Sequence, residues 1–187
     1  PNDRSTRALI GDGAGAFVLQ AGNDDDIGAI LHFDLGSDGE QVDLLHVPSV
    51  KRAHRKTGAS DSSYFKMQGK AVFTQAVTHM TESVLRVVEK TKWKLDEVDQ
   101  LVPHQANARI LAAVAEQLNF SSEKVCSNIG DVGNTVAASI PLALADACNK
   151  GALKRGNKVV LTAFGAGLTW GSISLVWPDI QQPKTGS

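Results

Sequence analysis

The sequence predicts an α/β layered domain. Three observations carry that reading. Short apolar runs of strand length alternate with longer stretches whose apolar residues recur every three or four positions. One such short run ends in a histidine, His104, directly before a helical pattern. A strand, glycine turn and strand also occur twice, around residues 10–19 and again around residues 163–176.

The elements follow in order. Arg7, Ala8, Leu9 and Ile10 read as a strand, broken by Gly11-Asp12-Gly13-Ala14-Gly15 and resumed over residues 16–19. Residues 23–26 make an acidic turn, and residues 27–33 form a further strand closed by Gly36 and Gly39. Residues 47–63 are polar and basic with little periodicity, as expected of a surface loop. A helix spans residues 69–91, with Phe73, Val77, Met80, Val84 and Val87 on one face. Residues 95–98 give a helical turn and residues 101–103 a buried strand. A second helix follows, with Ala106, Ile110, Val114 and Leu118 on its apolar face, ending near Asn119. Residues 124–127 read as a strand. A third helix covers residues 135–149, with Gly151 past its end and Pro141 imposing a kink or a late start. Residues 158–163 and 169–177 are strands separated by Phe164-Gly165-Ala166-Gly167, and residues 181–187 are a disordered tail.

Composition narrows the function classes. The 187 residues suffice for one domain with a core, and 19 basic against 20 acidic residues leave a net charge of -1, which argues against a nucleic-acid surface. Apolar residues make up 42% of the chain, but no run approaches the roughly 20 residues of a membrane span. No signal-peptide pattern is present. Two cysteines are too few for a disulfide framework and fit a cytoplasmic protein with reduced thiols. The chain opens on Pro1 and directly on strand-like sequence, which suggests the piece of a longer protein.

The chemistry concentrates at two junctions. Pro103 biases Val102 to extended geometry and so places His104 at a strand end, where open α/β sheets bind ligands. A histidine satisfied by backbone groups is the ordinary alternative, but Gln105 and Asn107 add polar groups that packing does not require. Asn134, between Gly133 and Thr135, reads as a helix N-cap or as a site donor; both hold if Thr135 caps while Asn134 points into the site. His and Asn donors aimed at one point suit a reaction through a thioester enolate. The glycine turn around Ala166 is either a plain hairpin or a backbone N–H exposed for an oxyanion. Gly11-Asp12-Gly13-Ala14-Gly15 has the wrong spacing for a dinucleotide loop and leads into a strand. Cys126 in a strand pattern and Cys148 near a helix C-terminus are poor nucleophiles. His32, His46, His54 and His79 show no metal-ligand spacing, so no metal is expected.

Five stretches together resemble the β-ketoacyl-acyl-carrier-protein synthase III family of the thiolase superfamily: Asp3-Arg4-Ser5-Thr6, Gly11-Asp12-Gly13-Ala14-Gly15-Ala16, Val102-Pro103-His104-Gln105-Ala106-Asn107, the run from Gly133-Asn134-Thr135 to Pro141, and the run from Phe164-Gly165-Ala166-Gly167 to Ser172. The resemblance runs from Asp3 to about Val176. It implies a thiolase-like fold, of which this chain holds one C-terminal βαβαβαββ half plus the last strands of the N-terminal half. Residues 1–22 are then the end of the N-terminal half, 23–180 the C-terminal catalytic half and 181–187 a tail. The recurring glycine turn fits two such repeats.

The resemblance further implies a decarboxylative Claisen condensation of acyl-CoA with malonyl-acyl-carrier-protein, both of them substrates, with no cofactor. His104 and Asn134 are the expected catalytic donors to the enolate. The nucleophilic cysteine is expected in an absent N-terminal half, so the fragment alone is expected to be inactive. The Ala166 N–H is expected to bind the oxyanion, and alanine in place of the family's frequent glycine changes little because the donor is main chain. Phe164 is expected beside the catalytic centre. Arg4, Leu9, Gly69, Phe73, Ala106 and Asn107 match the CoA path, with Arg4 stacking on adenine and Asn107 bonding pantetheine. Arg109, helped by Lys70, is expected to meet the carrier protein, although Thr74, Glu116 and Gln117 stand where some relatives carry lysines. A homodimer is implied. The alternatives are a relative serving polyketide or other secondary metabolism, and a non-catalytic structural or dimerisation half.

Overall fold

The structure is a computed structural model and describes residues 9–47 and 65–180. The expected loop at 47–63, the tail at 181–187 and Arg4 therefore lie, wholly or almost wholly, outside the described residues.

Four strands form a mixed sheet: β1 (Ile30–Ser37), β4 (Gln100–Pro103), β5 (Lys158–Gly165) and β6 (Thr169–Val176), in the order β1-β6-β5-β4. β6 runs antiparallel to both β1 and β5, and β4 runs parallel to β5. A small antiparallel pair, β2 (Leu45–His46) and β3 (Lys66–Met67), lies apart from this sheet. The helices are α1 (Gly69–Lys90), α2 (Ala108–Gln117), the single turn α3 (Ile129–Val132) and α4 (Ser139–Asn149).

The strand period of two sorts the core onto two faces. Leu101 and Val160 join α1 and α2 in one cluster with Met80, Val84 and Val114, while their neighbours Val102 and Val159 join α4 in another with Ala143, Leu144 and Ala147. The result is helix, sheet and helix in three layers, the α/β layering that the sequence predicts.

Each of the three longer helices closes in the same way. Trp93 N–H bonds to the Val88 carbonyl, Phe120 to Ala115 and Ala152 to Ala147, over a left-handed residue at Lys92, Asn119 and Gly151 respectively. These are Schellman closures, and the expected ends at Asn119 and Gly151 coincide with two of them. Pro141 causes a late start: a 3-10 turn, Val136–Ala138, precedes α4, and the proline sits in the first helical turn, where its missing N–H costs no bond.

Several expectations are corrected. Residues 16–19 form no strand; Val18 is 98% exposed, and no described strand lies beside it to complete a ladder. Of residues 7–10 only Leu9 and Ile10 are described, and there Ile10 makes a single parallel bridge with Asn134. The strand placed at 27–33 begins at Ile30, because Asp26 and Ala29 are held in a turn, and it runs on through Gly36. Gly36 is no strand breaker: a Cβ there would stand 2.4 Å from the Trp170 ring, so glycine makes room for the indole. Residues 124–127 yield one bridge, Leu101 with Val125, because the 3-10 turn Ser122–Lys124 takes up the start of the segment.

Candidate active site

β4 delivers His104 to the site. The His104 N–H donates to the Thr162 carbonyl on β5 (2.7 Å), which continues the parallel ladder one residue past the strand and holds the imidazole at the sheet's C-terminal edge. Nδ1 lies 2.6 Å from the Ser139 hydroxyl at the start of α4. Burial holds the imidazole below the usual histidine range, so the neutral ring prevails at neutral pH.

Asn134 is fixed on three sides. Its backbone N–H donates to the Leu9 carbonyl (2.9 Å) and its carbonyl accepts from the Gly11 N–H (2.8 Å). Its side-chain Oδ1 accepts the Val136 N–H (2.9 Å), a bond that identifies the oxygen and so makes Nδ2 the donor. Nδ2 donates to the Ala106 carbonyl (3.3 Å), and Ala106 in turn donates its N–H to the His104 carbonyl (2.8 Å). The two residues thus belong to one bonded network, and one amide hydrogen of Asn134 is left for a ligand. The capping falls differently from expectation: Asn134 itself caps the following 3-10 turn, while Thr135 makes no side-chain cap. Val136 takes a left-handed φ of 54°, a strained choice for a β-branched residue, and its N–H is the one that orients the Asn134 amide.

The polar neighbours of His104 prove to be structural. Gln105 is fully buried; its Nε2 donates to the Pro103 and Cys126 carbonyls, and its Oε1 accepts the Asn128 N–H. Asn107 caps α2 by accepting the Arg109 N–H (2.8 Å). Both side chains therefore have a use within the fold, contrary to the expectation that packing has none.

A cavity of about 660 Å³ opens beside His104 and is walled by Leu35, Ile140, Pro141, Leu161, Phe164 and Ile173, with Ser139, Thr162, Thr169 and Ser172 among its polar groups. Of the predicted residues it brings together His104 and Phe164; Asn134 and Ala166 are not in its lining, although Val136 and Ala137 are. Phe164 is buried, and behind it His79 stacks on Trp170 with ring centroids 3.8 Å apart. Ala166 lies exposed in the β5–β6 turn, where its carbonyl accepts from the Thr169 hydroxyl (3.1 Å).

The remaining residues are spread around this centre. Leu9 meets Asn134 through its backbone. Gly69 and Lys70 open α1, with Lys70 exposed and open space where a Gly69 Cβ would stand. Phe73 and Ala106 are half-buried against the α1–α2 core, and Arg109 is exposed in the first turn of α2.

Neither cysteine lies in the cavity lining. Burial pushes the Cys126 thiol up to about 11, and its sulfur faces the Gln100 amide oxygen at 3.2 Å. Among the described residues, no group of three His, Cys, Asp or Glu could hold a metal, and no helix is long and apolar enough to cross a membrane. Ser139 is the site residue that the sequence reading left without a role. Its one signal was its place five residues after Asn134, in a run that a helix period alone assigns to packing.

Comparison with known proteins places this geometry. The family model for the C-terminal part of 3-oxoacyl-[acyl-carrier-protein] synthase III matches residues 88–177, and the model for 3-oxoacyl-[acyl-carrier-protein] synthase III matches residues 1–39. A β-ketoacyl-[acyl-carrier-protein] synthase III of Pseudomonas aeruginosa is 62% identical over 180 residues, which is 96% of this chain and 54% of the relative. A Streptomyces coelicolor synthase III is 52% identical over 183 residues, covering 96% of this chain and 55% of the relative. The crystal structure of the Pseudomonas aeruginosa enzyme FabH superposes with a TM-score of 0.88 at 59% identity, over 96% of this chain and 54% of that one. The Thermus thermophilus synthase III superposes with a TM-score of 0.80 at 35% identity, over 96% and 55%. The chain spans about half the length of the curated relatives it matches. With two matched models in register and this fold beneath them, the chain belongs to the 3-oxoacyl-[acyl-carrier-protein] synthase III family.

Proposed function

We propose that these residues serve a condensing enzyme at the start of fatty-acid synthesis, which joins an acyl group from acyl-CoA to malonyl-acyl-carrier-protein and gives 3-oxoacyl-acyl-carrier-protein. The observation that carries this reading is the bonded network joining a neutral, half-buried His104 to Asn134 through Ala106.

In the proposed cycle a cysteine thiolate attacks the acyl-CoA thioester, and CoA leaves as its thiolate, which takes a proton from solvent. The burial of Cys126 and its raised thiol argue that the acyl-accepting cysteine is supplied by chain outside these residues. Malonyl thioester then loses CO2, and the electron pair of the broken bond passes into an enolate. Two neutral N–H donors, Nε2 of His104 and Nδ2 of Asn134, stabilise that oxygen; a cationic imidazole is not needed, and each donor lowers the barrier by roughly 3 kcal/mol. The enolate carbon attacks the acyl-cysteine carbonyl, the Ala166 N–H assists at the tetrahedral oxyanion, and the cysteine leaves as thiolate.

Arg4, Leu9, Gly69, Phe73, Ala106 and Asn107 are proposed to follow the CoA arm, with the free Asn107 amide hydrogens on pantetheine. Exposed Arg109 and Lys70 are proposed to meet the acidic carrier protein. The working form is proposed to be a cytoplasmic homodimer.

The test separates the two half-reactions in the full-length enzyme. His104→Ala and Asn134→Ala are each expected to lower malonyl decarboxylation roughly a hundredfold or more, with acyl loading from acyl-CoA nearly unchanged. Normal condensation by either variant overturns the roles. The 187 residues alone are expected not to condense; turnover by them would hand the nucleophile to Cys126 or Cys148.

A further inference from the structure

Ser139 stands at the first residue of α4 and is 1% exposed. Its hydroxyl has two neighbours among the described residues: the Gln105 N–H at 3.3 Å and His104 Nδ1 at 2.6 Å. A backbone N–H can only donate, so the first contact occupies a lone pair of the serine oxygen. The second contact then decides where the hydroxyl hydrogen goes. If Nδ1 carried a proton and donated it, the oxygen would receive two donors, and its own hydrogen would be buried without an acceptor, a costly state. If the serine donates to a bare Nδ1, every group is satisfied and the ring proton sits on Nε2.

We propose that Ser139 is a positioning residue that donates its hydroxyl hydrogen to Nδ1 of His104 and thereby fixes the imidazole as the Nε2–H tautomer. This rests on the proposed donor role of His104 for its functional meaning, though not for its geometry. In the opposite tautomer Nε2 would present a lone pair to the enolate and repel it. The serine therefore decides whether a neutral histidine works at all, and α4 couples the packing of its first turn to the chemistry at the end of β4.

The full-length protein labelled with 15N at histidine gives a direct reading. His104 is assigned by the resonances lost in His104→Ala. At neutral pH the wild type is expected to show an unprotonated Nδ1 and a protonated Nε2; a protonated Nδ1 overturns the proposal, whatever the activity. Ser139→Ala is expected to give a tautomer mixture and to lower kcat for malonyl decarboxylation roughly ten- to a hundredfold, with KM within about twofold and acyl loading unchanged. An unchanged kcat overturns the positioning role. Ser139→Thr keeps the hydroxyl and is expected to recover most of the lost rate; if Ser139→Ala fails to fold, the wild-type spectrum and the threonine variant decide. An Nε2–H ring in a protein whose His104→Ala variant still condenses would defeat the proposed catalytic role and leave the hydrogen bond standing.

Discussion

The Gly11 N–H donates to the Asn134 carbonyl at 2.8 Å, and the Asn134 N–H returns the bond to Leu9 at 2.9 Å. The segment that reads as a glycine turn is therefore a clamp on a proposed catalytic residue. A Cβ on Gly11 would stand 1.9 Å from the Val132 carbonyl oxygen, so backbone must give way before any side chain fits.

Gly11→Ala is accordingly expected to cost about 1–3 kcal/mol of stability, as overpacking does, and to loosen Asn134. Thermal unfolding checks the first effect and malonyl decarboxylation the second. A variant as stable and as active as the parent would show that the clamp is dispensable.

Gln105 bridges β4 to the segment after Val125 with three side-chain hydrogen bonds, all of them buried. Gln105→Leu keeps the approximate volume but orphans the Asn128 N–H and the Pro103 and Cys126 carbonyls. The expected loss is roughly 3 kcal/mol, read as a lower denaturant midpoint at unchanged slope. His104, one residue away, is expected to lose its position in the same variant.

Cys126 ties stability to alkaline pH. Its thiol is pushed up to about 11 by burial, so the folded chain holds this proton more tightly than the unfolded chain, whose thiol titrates near the ordinary value of about 8.5–9. The contribution is fully present below the unfolded value and is lost as pH rises through the folded one. Native stability is therefore expected to fall by roughly 2–3 kcal/mol between about pH 9 and 11, measured by denaturant unfolding across that range. Cys126→Ala is expected to flatten this dependence. It is also expected to retain condensation in the full-length enzyme, since the thiol is bonded to Gln100 and lies away from the cavity lining.

Much of the fold was legible locally. The recurrence of Val77, Met80, Val84 and Val87 identifies a helix face, and all four are buried. Asn119 and Gly151 announce helix ends because a left-handed residue is a backbone requirement that few side chains meet. Pro103 and the run before it place His104 at a strand end with no knowledge of what lies across the sheet.

Other features were out of reach. Gly36 reads as a terminator until Trp170 is seen lying over it from the neighbouring strand. Residues 16–19 have strand composition, but a strand exists only beside a partner. Gln105 and Asn107 look like surplus polar groups until their bonds to Asn128 and to the start of α2 are counted.

The histidine and asparagine themselves were fixed by sequence, through motifs whose residue types and spacing are local properties of the chain. Their orientation was decided only in three dimensions. Ser139 reaches His104 across 35 positions and Gly11 reaches Asn134 across more than a hundred. Backbone preference acts over a few bonds and leaves its mark in the order of residues. A hydrogen bond between distant segments depends on how the layers pack, and no local pattern records it.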